Sequence, residues 1–254
     1  MKHGLLYIFI FSLLTFPAMA LEVFHRLETT IGYFDVSRET FTYKFYNNHD
    51  YDIKTTVATT GTFGTIYPFN ASYHAVGIFD KQSFRPQSYF LTAQSRFHKR
   101  SKEIVYQNGI PQYRISQKDE KRRQDTIETD AQYPSSNDLL STFAELSWQI
   151  VQKDNCDFER YSFNGKRYSR SKVKTLAKEK IETPYFSGKA LKCEYKLEIL
   201  DDADAGFMLN SDTPVHFWIL KDKSTGVPFI ARILVESTPF GQMETLTTQI
   251  EVKK

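Results

Sequence analysis

The sequence predicts a mainly β protein: a single, strongly curved antiparallel sheet wrapped around one α-helix. Three observations predict it. Apolar and polar residues alternate with period two over most of the chain, the pattern of strands with one buried face. Turn-forming clusters punctuate these runs every 8–14 residues or so, roughly the spacing of an antiparallel meander. Finally, 21 Phe, 15 Tyr and 2 Trp make the chain 15% aromatic, and such side chains suit pleated surfaces better than helix interiors.

The 254-residue chain opens with a segment outside this pattern. Lys2 and His3 precede an apolar run from Leu5 to Phe16, and Pro17 and the small–x–small triplet Ala18-Met19-Ala20 follow. This predicts a cleaved signal peptide over residues 1–20, cut before Leu21. As helix the run spans about 18 Å, against roughly 30 Å of bilayer hydrocarbon, so it is too short for an anchor. No Cys follows it, which argues against a lipoprotein. The expectation is a soluble periplasmic protein in which residues 21–254 form one β domain.

Along that domain, Phe41, Tyr43 and Phe45 share one face of a strand, with Thr40, Thr42 and Lys44 on the other. Tyr51, Ile53, Thr55 and Val57 repeat the pattern after the turn cluster Asn47-Asn48-His49-Asp50. Further breaks are expected at Gly61, Gly64, Asp80-Lys81 and Asn108-Gly109, the last a two-residue hairpin signal. Beyond Pro134, the positions Leu139, Leu140, Phe143, Leu146, Ser147 and Ile150 step by three and four. They predict one helix near 137–151, capped by Ser136 or Asn137, with Asp138 favoured by the helix dipole. Trp148 near its end is expected to plug the core. Strands then resume at 158–163, pass through a hairpin turn at Asn164-Gly165, and continue at 168–175, 191–200, 215–220, 227–235 and 243–252, about a dozen in all.

Composition narrows the function classes. The 33 basic and 30 acidic residues leave a formal charge of +3, so nothing global asks for nucleic acid. Two cysteines without a CxxC spacing, in an exported chain, predict a structural disulfide between Cys156 and Cys193. His25, His49, His74, His98 and His216 form no HxH, HxxxH or HExxH unit, and no metal or cofactor is expected. GxSxG, P-loop and GxGxxG motifs are absent. Ser169-Arg170-Ser171-Lys172 has serine–lysine spacing but lies in a predicted strand, and Asp201, Asp202 and Asp204 read as a solvated acidic loop. Lys166, Arg170, Lys172 and Lys174 make a basic face that would suit an anionic envelope surface, and Arg96, Lys99, Arg100 and Lys102 make a second patch.

The order of short motifs resembles a bacterial envelope family catalogued as domain of unknown function 3108. The motifs are Ile31-Gly32, Thr59-Thr60-Gly61, Phe84-Arg85-Pro86-Gln87-Ser88-Tyr89, Asn137-Asp138-Leu139-Leu140-Ser141, Cys156 with Phe163-Asn164-Gly165-Lys166-Arg167-Tyr168, Cys193, Ala205-Gly206-Phe207, Phe217-Trp218-Ile219, Val227-Pro228-Phe229 and Phe240-Gly241. The chain departs from the family at Asn164-Gly165, where Asp-Gly is more usual. The resemblance implies a periplasmic open or spiral β-barrel, similar to lipoprotein carriers, with no enzymatic activity and no catalytic residues to carry over. The expected function is therefore a non-enzymatic envelope binding or scaffold protein, with an apolar or lipid ligand in the curved sheet or an envelope protein as partner. The alternative is a hydrolase of an envelope polymer, its site assembled from separate strands.

Overall fold

The alternating runs fold into two meanders that meet at their termini. The computed structural model describes residues 19–80, 83–128, 133, 136–200, 213–223 and 225–253. The predicted leader up to Ala18 and the acidic run Asp201, Asp202 and Asp204 lie outside them. The first meander comprises Met19–Ile31 (β1), Phe34–Tyr46 (β2), Asp50–Thr59 (β3), Phe69–Asp80 (β4), Ser83–Ser95 (β5), Lys99–Gln107 (β6), Ile110–Lys118 (β7) and Lys121–Thr126 (β8). The second comprises Phe158–Phe163 (β9), Tyr168–Glu182 (β10), Ser187–Ile199 (β11), Val215–Lys221 (β12), Pro228–Thr238 (β13) and Gly241–Lys253 (β14). A short helix, Gly61–Ile66 (α1), interrupts the first meander, and Leu139–Lys153 (α2) joins the two.

All fourteen strands form one antiparallel sheet in the order β8-β7-β6-β5-β4-β3-β2-β1-β14-β13-β12-β11-β10-β9. Only the β1–β14 pairing joins strands that are distant in sequence. The sheet is not closed: β8 and β9 are its free edges, and α2, which lies between them in sequence, packs on β9. Its ends nevertheless meet through side chains. Lys102 Nζ on β6 donates to Asn164 O (2.7 Å), and Arg114 on β7 donates to Gly165 O, both in the β9–β10 turn. Gly165 has φ +85°, and a Cβ there would sit 2.7 Å from Lys102 Cδ, so only glycine lets this turn lie on β6.

Bulges set which residues face inward. On β5, Phe84 and Pro86 are buried, then Tyr89 and Ala93. The parity switches because Gln87 is the extra residue where the register with β4 slips at Val76/Gly77. Gly77 gives Tyr51 room, since a Cβ there would lie 2.5 Å from its hydroxyl.

Helix α2 begins at Leu139, not at 137. Its N-cap is Asp138, which accepts from Ser141 N (2.9 Å). Neither Ser136 nor Asn137 caps it. The backbone of Asn137 is committed to β9, donating to Tyr161 O and accepting from Phe163 N at 2.8 Å. Leu140, Ala144, Leu146 and Ile150 are buried, whereas Leu139 is exposed and Phe143 and Trp148 are half-buried. The helix packs on β4, β5, β9 and β13. Tyr51, Ile53, Phe84, Tyr89, Ile104, Tyr106, Phe163 and Tyr168 enclose its first half. Cys156, Phe158, Val173, Leu191, Cys193, Phe217 and Ile219 enclose its second.

The second helix, α1, is a correction to the one-helix expectation. Gly-Thr-Phe-Gly-Thr-Ile carries no helical signal, since Gly and Thr are poor helix formers. Tertiary contacts hold this turn against β2 and β3: Thr60 N donates to Val36 O of β2 (2.9 Å), and Thr59 Oγ1 of β3 donates to Tyr67 O (2.9 Å).

Candidate functional site

A cavity of about 530 Å³ lies between α2 and the strands around the β1–β14 junction. Two walls come from period-two alternation. Leu21, Val23, His25, Leu27 and Thr29 of β1 line it, and so do Phe45, Tyr43, Phe41, Glu39 and Ser37 of β2. These ten residues are five directly opposed cross-strand pairs, Leu21↔Phe45 through Thr29↔Ser37. Residues of β13 and β14, including Ile233, Met243 and Thr245, extend the same surface. Phe143, Ala144, Leu146, Ser147 and Trp148 of α2 form the opposite wall, one side of a helix.

The lining is mostly apolar, and its one carboxylate stands at one end. There Thr29 Oγ1 donates to Glu39 Oε2 (3.2 Å), Ser37 Oγ donates to Glu39 Oε1, and Thr245 Oγ1 lies 2.8 Å from Thr29 Oγ1. Because the Thr29 proton goes to Glu39, Thr245 supplies the donor to Thr29. Burial pushes the Glu39 carboxyl above its ordinary range, and the two hydroxyl bonds partly oppose this. Midway along, His25 packs on Tyr43 and Phe229, with ring centroids at 5.9 and 6.2 Å. Its Nε2 is buried without a hydrogen-bond partner among the described residues. Burial pushes its imidazole down to about 4, so it is neutral at ordinary pH.

Glu39 is the only carboxylate and His25 the only imidazole among the described lining residues. Glu39 is bonded to hydroxyls rather than to His25. Among the described residues, no three of His, Cys, Asp and Glu group closely enough to hold a metal ion. A second depression of about 590 Å³ shares Ile219 and Phe229 with the first, but Lys178, Lys189, Lys221 and Lys223 surround it. The first is the apolar site.

The model of the family described as "Protein of unknown function (DUF3108)" matches residues 21–247. The chain belongs to this family. A crystal structure of a β-barrel-like protein of domain of unknown function DUF1849 from Brucella abortus is similar in fold. Its TM-score is 0.54 at 7% identity, covering 92% of this chain and 98% of that one. At that identity the likeness is of fold alone. No curated protein matches the chain.

In this DUF3108 chain the cysteines and the basic face are placed as follows. Cys156, two residues before β9, and Cys193, within β11, are both fully buried and joined by a disulfide with Cα atoms 6.1 Å apart. Arg170 and Lys172 of β10 share Glu198 of β11, at 2.6 and 3.2 Å. Lys174 is exposed in β10 and Lys166 is exposed in the β9–β10 turn. The four are therefore not one free patch: two are neutralised within the sheet. Ser171 is buried beside Tyr195, its Oγ 3.1 Å from that hydroxyl. Sequence reading placed Phe41, Tyr43 and Phe45 on one face but did not carry it on to Glu39 and Ser37. The same alternation, extended two positions at a time, reaches both.

Proposed function

We propose that this chain is an exported, non-enzymatic envelope protein that binds an apolar, lipid-like ligand in the cavity against α2. The observation that carries the reading is the cavity itself. Its volume falls within the roughly 300–1,000 Å³ of small-molecule sites, and it is apolar with a few convergent polar groups, as such sites are. Glu39 at one end favours a ligand whose polar group donates a hydrogen bond, a hydroxyl, amide or amine rather than a carboxylate. In this reading the sheet works as an open barrel of the lipoprotein-carrier type, curled about α2. Export rests on the signal pattern of residues 1–20. Cleavage before Leu21 keeps the β1–β2 pairs from Leu21↔Phe45 onward.

The test is a fluorescence titration with the apolar dye N-phenyl-1-naphthylamine. The wild type is expected to bind saturably, one dye per chain, with displacement by a long-chain alcohol. Ser147→Phe, which places a ring in the cavity from a half-buried position on α2, is expected to weaken binding about tenfold or more while the protein still melts cooperatively. Absence of saturable binding, or equal binding by the folded variant, would contradict the reading.

A further inference from the structure

The exposed apolar side chains are not scattered. Register fixes which connections share an end of the sheet. Ile31 pairs with both Phe34 and Met243, Ser37 with Thr59, Phe69 with Ser95, and Arg100 with Lys118. The β1–β2, β13–β14, β3–α1–β4, β5–β6 and β7–β8 connections therefore follow one another along one rim. Four of these five carry bare apolar side chains. Tyr33 is fully exposed and Phe34 is 67% exposed on the first, Phe240 is 73% exposed on the second, and Phe97 is 78% exposed on β5–β6. Helix α1 and its C-cap add Phe63, Ile66 and Tyr67. The rim thus holds seven of the eleven large exposed hydrophobics among the described residues, whereas the turns of the opposite rim hold one, Tyr185.

Among the described residues, these five turns also carry more positive than negative charge. Arg96, Lys99, Arg100, Lys118 and Lys121 lie in or beside its turns, are exposed, and form no ion pair among the described residues. Asp119 is occupied by His98 Nδ1 (3.4 Å) and Lys99 N (3.1 Å). The unpaired carboxylates beside these turns are Asp35 and Glu120.

We propose that this rim docks on the surface of an anionic lipid bilayer, with the aromatic turn tips entering the interfacial layer. Two observations select a bilayer over a protein. The rings stand on separate turns rather than forming one continuous face, so they need no complementary shape opposite them. Aromatic rings partition to the headgroup region, and cations beside them are drawn to anionic headgroups. Thr29, Ser37, Glu39 and Met243, at one end of the cavity, lie within a few residues of the Tyr33 and Phe240 turns, so docking brings that end of the cavity to the lipid.

The experiment is co-sedimentation with sucrose-loaded vesicles of phosphatidylethanolamine containing a minority of phosphatidylglycerol, and with vesicles of phosphatidylcholine alone. The protein is expected to pellet with the anionic vesicles and much less with the neutral ones. The triple variant Tyr33→Ser, Phe34→Ser, Phe240→Ser is expected to lower partitioning about tenfold or more with an unchanged melting curve, because these side chains are exposed. Tyr185→Ser, at the opposite rim, is expected to bind like wild type. Three results would overturn the proposal: no pelleting with anionic vesicles, equal pelleting by the triple variant, or lipid-free self-association in sedimentation velocity that the triple variant abolishes. The last would assign the rim to contact between copies. Dye binding in the cavity is read separately, so a failed rim and a failed cavity give different results.

Discussion

At the residue scale, two buried titratable groups give stability opposite responses to pH. His25 protonates near 6.5 when exposed but is pushed down to about 4 by burial in the fold. The unfolded chain therefore takes up a proton that the native state refuses, and the stability this histidine confers is lost as pH falls from about 6.5 toward 4. Chemical denaturation across that range is expected to show wild-type stability declining, with a shallower slope for His25→Gln; equal slopes would refute this origin. Asp138 behaves inversely. Burial pushes its carboxyl from 3.8 up to about 6, against the bonds from Ser141. Its contribution is full below about 4 and is lost as pH rises through 6. Asp138→Asn keeps a capping oxygen and removes the charge, so it is expected to gain on wild type as pH rises from 4 to 7; a pH-independent difference would contradict this. Neither group was legible as unusual in the sequence, because burial is a property of what folds around a residue. The sequence suggests Asp138 as a dipole partner next to a cap; in the fold it is the cap itself.

At the element scale, what stepped regularly in sequence was legible and what depended on distant partners was not. Asn108 and Gly109 both adopt positive φ, as their hairpin signal predicts, and the strand runs from residue 158 onward match β9–β14 apart from Leu200 and Val227, which lie just outside. The face of α2 was readable from its three-and-four spacing. Its first turn was not, because β9 takes the backbone of Asn137. Helix α1 left no trace, since Gly61 and Gly64 read as breaks and only contacts with β2 and β3 make them helical. The disulfide acts at this scale too, tying the segment after α2 to β11 across 37 residues. Closing a loop of that length stabilises by about 4 kcal/mol on the chain-entropy model. Cys156→Ser with Cys193→Ser is expected to lower unfolding free energy by about 2–5 kcal/mol. A loss below about 1 kcal/mol in urea melts would show that packing alone holds this segment on β11.

At the scale of the whole molecule, the aromatic surplus serves three distinct places. Some rings build the core around α2, as Tyr51 does with its hydroxyl 2.7 Å from Ser141 Oγ. Others, such as Phe41, Tyr43 and Phe45, line the cavity, and Tyr33, Phe97 and Phe240 stand bare on one rim. Composition counted them without separating them. The separation needs the β1–β14 pairing, which joins the two ends of the chain and has no local signal. The open sheet follows from the same topology: α2 separates β8 from β9 in sequence, and the β9–β10 turn rests on β6 and β7 without a ladder. The cavity is where the helix and the sheet do not fully meet. We propose that an apolar ligand occupies it. Mass spectrometry of the organic extract of protein purified without detergent from its native compartment tests this directly. One lipid-like species is expected at close to one molecule per chain, depleted in the Ser147→Phe variant. An extract without stoichiometric lipid, or one unchanged by the variant, would contradict it.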